Sequence, residues 1–155
     1  MEALFESYLD RLQKLHTDIE KTFEGLAQEA LDWIPGAGMN SMAVIVTHLT
    51  GAERYWIGDL AGEDPSGRDR AAEFRMRGLD AADLKKRLND SLEYARLVAG
   101  RLSLVELAEI RTSPRDGKQF SVAWSLLHAL EHTAVHLGHL QIMRQLWDQQ
   151  QGSGV

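Results

Sequence analysis

The chain has no cysteine among its 155 residues. Disulfides, thiolate metal ligands and a cysteine nucleophile are therefore excluded, and any thiol chemistry must bring its own thiol. A bound metal would have to sit on His, Asp or Glu. Basic residues are also in deficit: Lys and Arg number 17 against 23 Asp and Glu, for a formal net charge of −6. A protein that lives on phosphate contacts shows a basic stripe, and none is visible, so nucleic acid is not expected as a partner. No apolar run approaches the length of a membrane span, so no membrane segment is expected. The N-terminus carries Glu2, Glu6 and Asp10 instead of a basic region followed by an apolar one, and a cytoplasmic protein is the expectation. What remains is 44% hydrophobic and 26% charged, the balance of a globular chain. Its length suits one domain with a sizeable core.

Four segments repeat apolar residues with helical spacing. In the first, from about residue 3 to 26, Leu4, Tyr8, Leu12, Leu15, Ile19, Phe23 and Leu26 recur every three or four positions. Ile34-Pro35-Gly36-Ala37-Gly38 breaks it. The second runs from a cap at Asn40 or Ser41 to about Leu60, with Met42, Ile45, Leu49, Ala52 and Trp56 as its core stripe. Gly62 to Gly67 ends it, and the charged stretch Arg68 to Arg77 has room for a short helical turn. The third begins at Asp80, where Asp80-Ala81-Ala82-Asp83 resembles a capping box, and reaches about Leu102. Residues 103–120 are irregular, with a turn at Ser113 to Gly117 and at most minor strand. The last helix starts after Ser121 and runs to about Gln149. The pattern predicts an all-α four-helix bundle over residues 1–149, with long connections at 61–79 and 103–120 and a disordered tail over 150–155. Connections of that length usually carry function, such as lidding a pocket.

Histidine is the most informative residue type. Of six, four lie within twelve positions: His128, His132, His136 and His139. On a helix the first three fall at about −40°, 0° and +40°, with His139 at about −20°, so all share one sector. The helix is apolar nearly all round in its first half, which predicts a buried helix with the histidine row facing the interior. Spacing i, i+4 lets two imidazoles meet on one ion, and both His132/His136 and His128/His132 satisfy it. The same pairs can instead be buried histidines bonded to their neighbours. A third ligand would come from another helix. His48 is the natural candidate, beside the second helix's core stripe, with Gly51 leaving space near its ring. His16, flanked by Lys14, Thr17 and Asp18, reads as a solvated surface residue.

The segment Asn40-Ser41-Met42-Ala43-Val44-Ile45-Val46-Thr47-His48-Leu49, followed by Glu53-Arg54-Tyr55-Trp56, resembles the second-helix signature of the DinB/YfiT-like superfamily. The run from His128 to Leu140 is similar to that superfamily's final-helix motif, and the order of helices and long loops matches over nearly the whole chain. The resemblance implies a divalent metal on His48, His132 and His136; nitrogen donors suit zinc or nickel, and do not exclude iron, manganese or cobalt. Leu137 stands where Arg is common and His139 where Gln is common, which leaves the triad intact but alters its flanks.

Three imidazoles leave open positions on an ion, as catalytic sites do. The resemblance implies a metal-dependent enzyme acting on a small-molecule substrate. Some relatives are thiol-dependent transferases or isomerases using mycothiol or bacillithiol, and an imported low-molecular-weight thiol is compatible with a chain lacking cysteine. Metal-activated hydrolysis is the alternative, although Glu131 and Glu53 are offset by about 100° and 140° from the histidine beside each, so neither points at the ion. His128 and His139 are the other base candidates. The loop cations Arg68, Arg70, Arg111, Arg115 and Lys118 are either solvated charges or holders of an anionic cosubstrate. A non-catalytic, stress-associated metal-binding bundle and a metal-free bundle are the remaining readings. Trp33, Trp56, Trp124 and Trp147 read as core or interface anchors, and a homodimer is compatible with the resemblance.

Overall fold

Ser41 begins the helix that organises the rest. Its side chain accepts from the Val44 backbone N–H, capping α3 (Met42–Glu53). In the computed structural model, which describes residues 1–152, α3 is preceded by α1 (Ala3–Phe23) and a single turn, α2 (Gln28–Leu31). It runs on into wider π-helical turns over Arg54–Ala61. A short α4 (Arg70–Glu73) follows, then α5 (Ala81–Ala99). A two-stranded antiparallel ribbon, β1 (Ile110–Thr112) and β2 (Gln119–Ser121), pairs Arg111 with Phe120 and leads into α6 (Val122–Gly152). Asp80 and Asp83 form the reciprocal capping box expected at the start of α5.

The four long helices make the expected bundle. α1 packs between α5 and α6, and α3 packs between the same two helices from the opposite side. α1 and α3 therefore lie across the bundle from each other, as do α5 and α6, whereas α3 and α5 are neighbours. Burial falls into two apolar layers. One gathers Phe5, Leu9, Leu12, Ala52, Trp56, Leu92, Ala95, Val122 and Ala129. The other gathers Ile19, Phe23, Met42, Val46, Leu49, Leu84, Leu88 and Leu140.

Between these layers lies a polar belt centred on Glu53, which is 1% exposed. His16 of α1 holds its carboxylate through Nε2 at 2.8 and 3.1 Å, and Thr133 of α6 donates to it at 2.6 Å. Ser91 of α5 donates to it as well. Burial pushes this carboxyl up, but the ion pair and hydrogen bonds with His16 and the hydroxyls of Ser91 and Thr133 outweigh it and hold it below its usual range. Glu53 is thus an ionised group kept in the core by partners from each of the other three long helices.

Several expectations are corrected here. His16 is 3% exposed and not solvated, because the buried stripe of α1 runs through Leu12, His16, Ile19 and Phe23, while Leu4 is exposed. α1 stops at Phe23, short of Leu26. The last helix extends through Gln150, Gln151 and Gly152, so these are not a disordered tail; residues 153–155 lie outside the described part. Nor is α6 buried all round: Trp124, Leu127 and Val135 are exposed, His128, His132 and His136 are only half-buried, and His139 is exposed. Of the tryptophans, Trp56 is in the core, and Trp33 and Trp147 meet edge to face at 5.4 Å.

Removing one partner from a buried charge costs more than removing one of several donors. His16→Ala should lower unfolding stability by about 3–5 kcal/mol, and Thr133→Val by about 1.5–3 kcal/mol. Urea unfolding of the two metal-free variants reads both values, and the reverse order would remove Glu53 from the centre of the fold.

Candidate metal centre

His48 is on the last turns of α3, 7% exposed, and His132 and His136 are on successive turns of α6. Each offers a ring nitrogen, and the three nitrogens lie within 4.8 Å of one another. The His48 ring centre is 5.1 Å from that of His132 and 5.2 Å from that of His136. His132 Nε2 and His136 Nε2 are 3.3 Å apart. Two nitrogens bound to one tetrahedral ion at about 2.0–2.1 Å would be separated by about 3.3 Å. Burial, and then the neighbouring imidazoles, push the His132 ring down to about 3, and burial with the His48 and His139 rings pushes His136 down to about 4. Both are neutral near pH 7, the form a metal needs. His132 Nδ1 is buried without a hydrogen-bond partner.

The sequence did not announce what holds His48. Its Nδ1 is 2.9 Å from a carboxylate oxygen of Glu73, on the one-turn helix α4 inside the long second connection. The carboxylate can only accept, so His48 donates from Nδ1 and leaves Nε2 for the cluster. Arg68 grips the same carboxylate with two donors, Nε at 2.5 Å and Nη2 at 2.8 Å. Burial pushes the Glu73 carboxyl up, yet the Arg68 and His48 hydrogen bonds prevail and keep it below the usual range. A histidine whose far nitrogen is anchored by a carboxylate is the arrangement that orients metal ligands. Gly51 makes it sterically feasible. A Cβ at Gly51 would come within 2.2 Å of a Glu73 carboxylate oxygen, so the space left by this glycine is occupied by Glu73 and not by the imidazole itself.

Around the cluster, the Phe74 ring packs on His48 at 4.9 Å. His128 lies parallel to Trp124 at 4.7 Å and against Trp56 at 4.6 Å, one turn before His132. Its Nδ1 is 3.8 Å from the exposed Glu131. His139 Nδ1 is 3.3 Å from His136 Nδ1 and is solvent-exposed. As expected from helix angles, neither Glu53, committed to the core belt, nor Glu131 faces the cluster. The loop cations divide: Arg68, Arg70 and Arg115 line one cavity beside the cluster, whereas Arg111 pairs with Glu63 and Glu109. Lys118 is 3.6 Å from Asp116.

The sequence motifs, the bundle and this histidine cluster define a protein of the DinB/YfiT-like class. The sequence profile of the mycothiol-S-transferase family matches residues 7–149, and the chain belongs to that family. No protein of curated function matches it. Among solved structures, a conserved protein from Enterococcus faecalis is similar at a TM-score of 0.78 with 11% identity, over 94% of this chain and 98% of that one. YfiT from Bacillus subtilis, described as a probable metal-dependent hydrolase with an unusual four-helix bundle topology, is similar at 0.76 with 12% identity, over 94% and 89%. A DinB-like protein from Bacillus cereus reaches 0.73 with 14% identity, over 90% of each chain. At such identities these likenesses speak for the fold. No helix among the described residues is long and apolar enough to cross a membrane.

In long-range proton–nitrogen spectra of the metal-free protein, His48 should carry a proton on Nδ1, donated to Glu73. Gly51→Ala should weaken that hydrogen bond by displacing Glu73 while leaving the helical signal intact. A His48 Nδ1 without a proton in the native chain would break the Glu73–His48 assignment.

Proposed function

We propose that this protein is a metal-dependent enzyme that activates a low-molecular-weight thiol for transfer to a small-molecule acceptor. His48, His132 and His136 hold one divalent ion, zinc or nickel by preference of nitrogen donors. The observation that carries the reading is the cluster itself: three imidazoles from two helices, one anchored by a buried carboxylate, in a chain of the mycothiol-S-transferase family. These three nitrogens would hold the ion, whose contribution would be to lower the pKa of a bound thiol so that its sulfur could react as thiolate.

The chain's own groups fit that task. Glu73 and Arg68 keep the His48 ring fixed, and Thr133 binds Glu53 next to His132, which sets the height of α6 against α3. His132 and His136 are half-buried, so the cluster is not sealed from small reactants. The Trp124–His128 stack lies one turn before His132, and Phe74 packs on the His48 ring. The setting is cytoplasmic, without nucleic-acid or membrane partners.

Hydrolysis is the second reading, and the likeness to YfiT favours it. It needs a general base, and no carboxylate among the described residues faces the cluster: Glu73 is spent on Arg68 and on the outer nitrogen of His48. His139, beside His136, is the available group.

The absence of cysteine makes a decisive test available. In the cobalt-substituted protein, any sulfur-to-cobalt absorption band must come from added thiol. N-acetylcysteine should produce such a band in the native chain and not in His136→Ala, and should conjugate to a chlorobimane acceptor only with metal present. No band with thiol, together with metal-dependent ester hydrolysis, would turn the assignment to the hydrolase.

A further inference from the structure

Beside the histidine cluster is a cavity of about 280 Å³ lined by Tyr55, Asp59, Arg68, Arg70 and Arg115 among others. Three arginines on one small cavity stand out in a chain of net charge −6. Their bonding states differ. Arg68 is spent on Glu73, and Asp59, the acidic member of the wall, is spent on Arg54 at 3.0 Å and on the Ser66 backbone and hydroxyl. Arg70 has no carboxylate partner among the described residues; its guanidinium lies over the Phe74 ring at 4.8 Å. Arg115 lies over Tyr55 at 5.5 Å, and its nearest carboxylate, Asp116, is 3.7 Å away, an ion pair too long for a hydrogen bond. A cation–π contact holds a guanidinium in place without using its N–H donors. The wall's acceptors are therefore satisfied, while the donors of two arginines are not.

The cavity also adjoins the metal centre at two points. Arg68 Nη2 is 3.4 Å from His48 Nδ1, and Phe74, under Arg70, packs on the His48 ring. Its volume lies just under the range that takes a drug-sized molecule, which suits one end of a substrate. We infer that this cavity is a binding site for a small organic oxyanion, a carboxylate or phosphate, held by Arg70 and Arg115. Its role as the anchor for a reactant whose other end meets the cluster rests on the thiol-transfer reading; the anion binding itself does not.

Calorimetric titration of the zinc-loaded protein with malate and with inorganic phosphate tests the inference. At least one of them should bind, the preference between them identifying carboxylate or phosphate as the group recognised. Arg70→Gln and Arg115→Gln should each weaken that binding about tenfold or more, as loss of a charged hydrogen bond does. Zinc stoichiometry should be unchanged in both. Binding should survive in His136→Ala and in chelator-treated native protein, where the ion is gone but the arginines remain. Binding lost with zinc yet intact in the arginine variants would place the anion on the ion and overturn the inference. So would the absence of binding by both probes. A functional cluster with no anion site and an anion site without thiol activity give different patterns, so failure of one reading is not failure of the other.

Discussion

One buried carboxylate holds this bundle in register. Glu53 sits between two apolar layers and is bonded by His16 of α1, Ser91 of α5 and Thr133 of α6, so each long helix has one contact with a single charged group. A charge in the core is tolerated only when its hydrogen bonds are complete, which makes the geometry intolerant of sliding. If α6 moved along its axis by one turn, Thr133 would no longer reach Glu53, and the bonds of the buried carboxylate would be incomplete. Because Thr133 follows His132, and Glu53 lies five residues beyond His48, the contact that fixes helix register also fixes the distance between the two halves of the histidine cluster.

A second carboxylate works on the other side of α3. Glu73 reaches His48 from the long connection, where a one-turn helix and Arg68 bring it against the helix at Gly51. The glycine costs the helix some intrinsic stability, and the structure shows its use: any side chain there would displace the carboxylate. The same connection supplies Arg70 and Phe74, and the ribbon's turn supplies Arg115. The connections that make the topology unlike a tight up-and-down bundle thus build the walls around the cluster.

Much of this was legible in the residues. The four apolar periodicities, the Ser41 and Asp80 caps and the His132/His136 spacing are local features, and local features survive in a sequence read one segment at a time. His48 was a candidate from its place beside the second helix's core stripe, but spacing within α6 says nothing about a partner helix, and the family resemblance is what joined it to His132 and His136. His16 was misread because its polar neighbours outweighed its place at Leu12+4 and Ile19−3, which is a buried position. Glu73 could not have been singled out from Glu63, Asp64 and Asp69, because its role depends on how the connection folds back. The π-helical widening after Glu53, which carries Tyr55 and Trp56, has no composition signal.

The central claim is that His48, His132 and His136, and not the neighbouring histidines, form one metal site. Elemental analysis of the purified native protein and of four alanine variants tests it most directly. The account predicts about one equivalent of a divalent transition metal in the native chain, as one three-histidine site requires. That metal should be lost in His48→Ala and His136→Ala and retained in His128→Ala and His139→Ala. Metal that persists when His48 and His132 are both replaced, or that disappears with His128 alone, would contradict it.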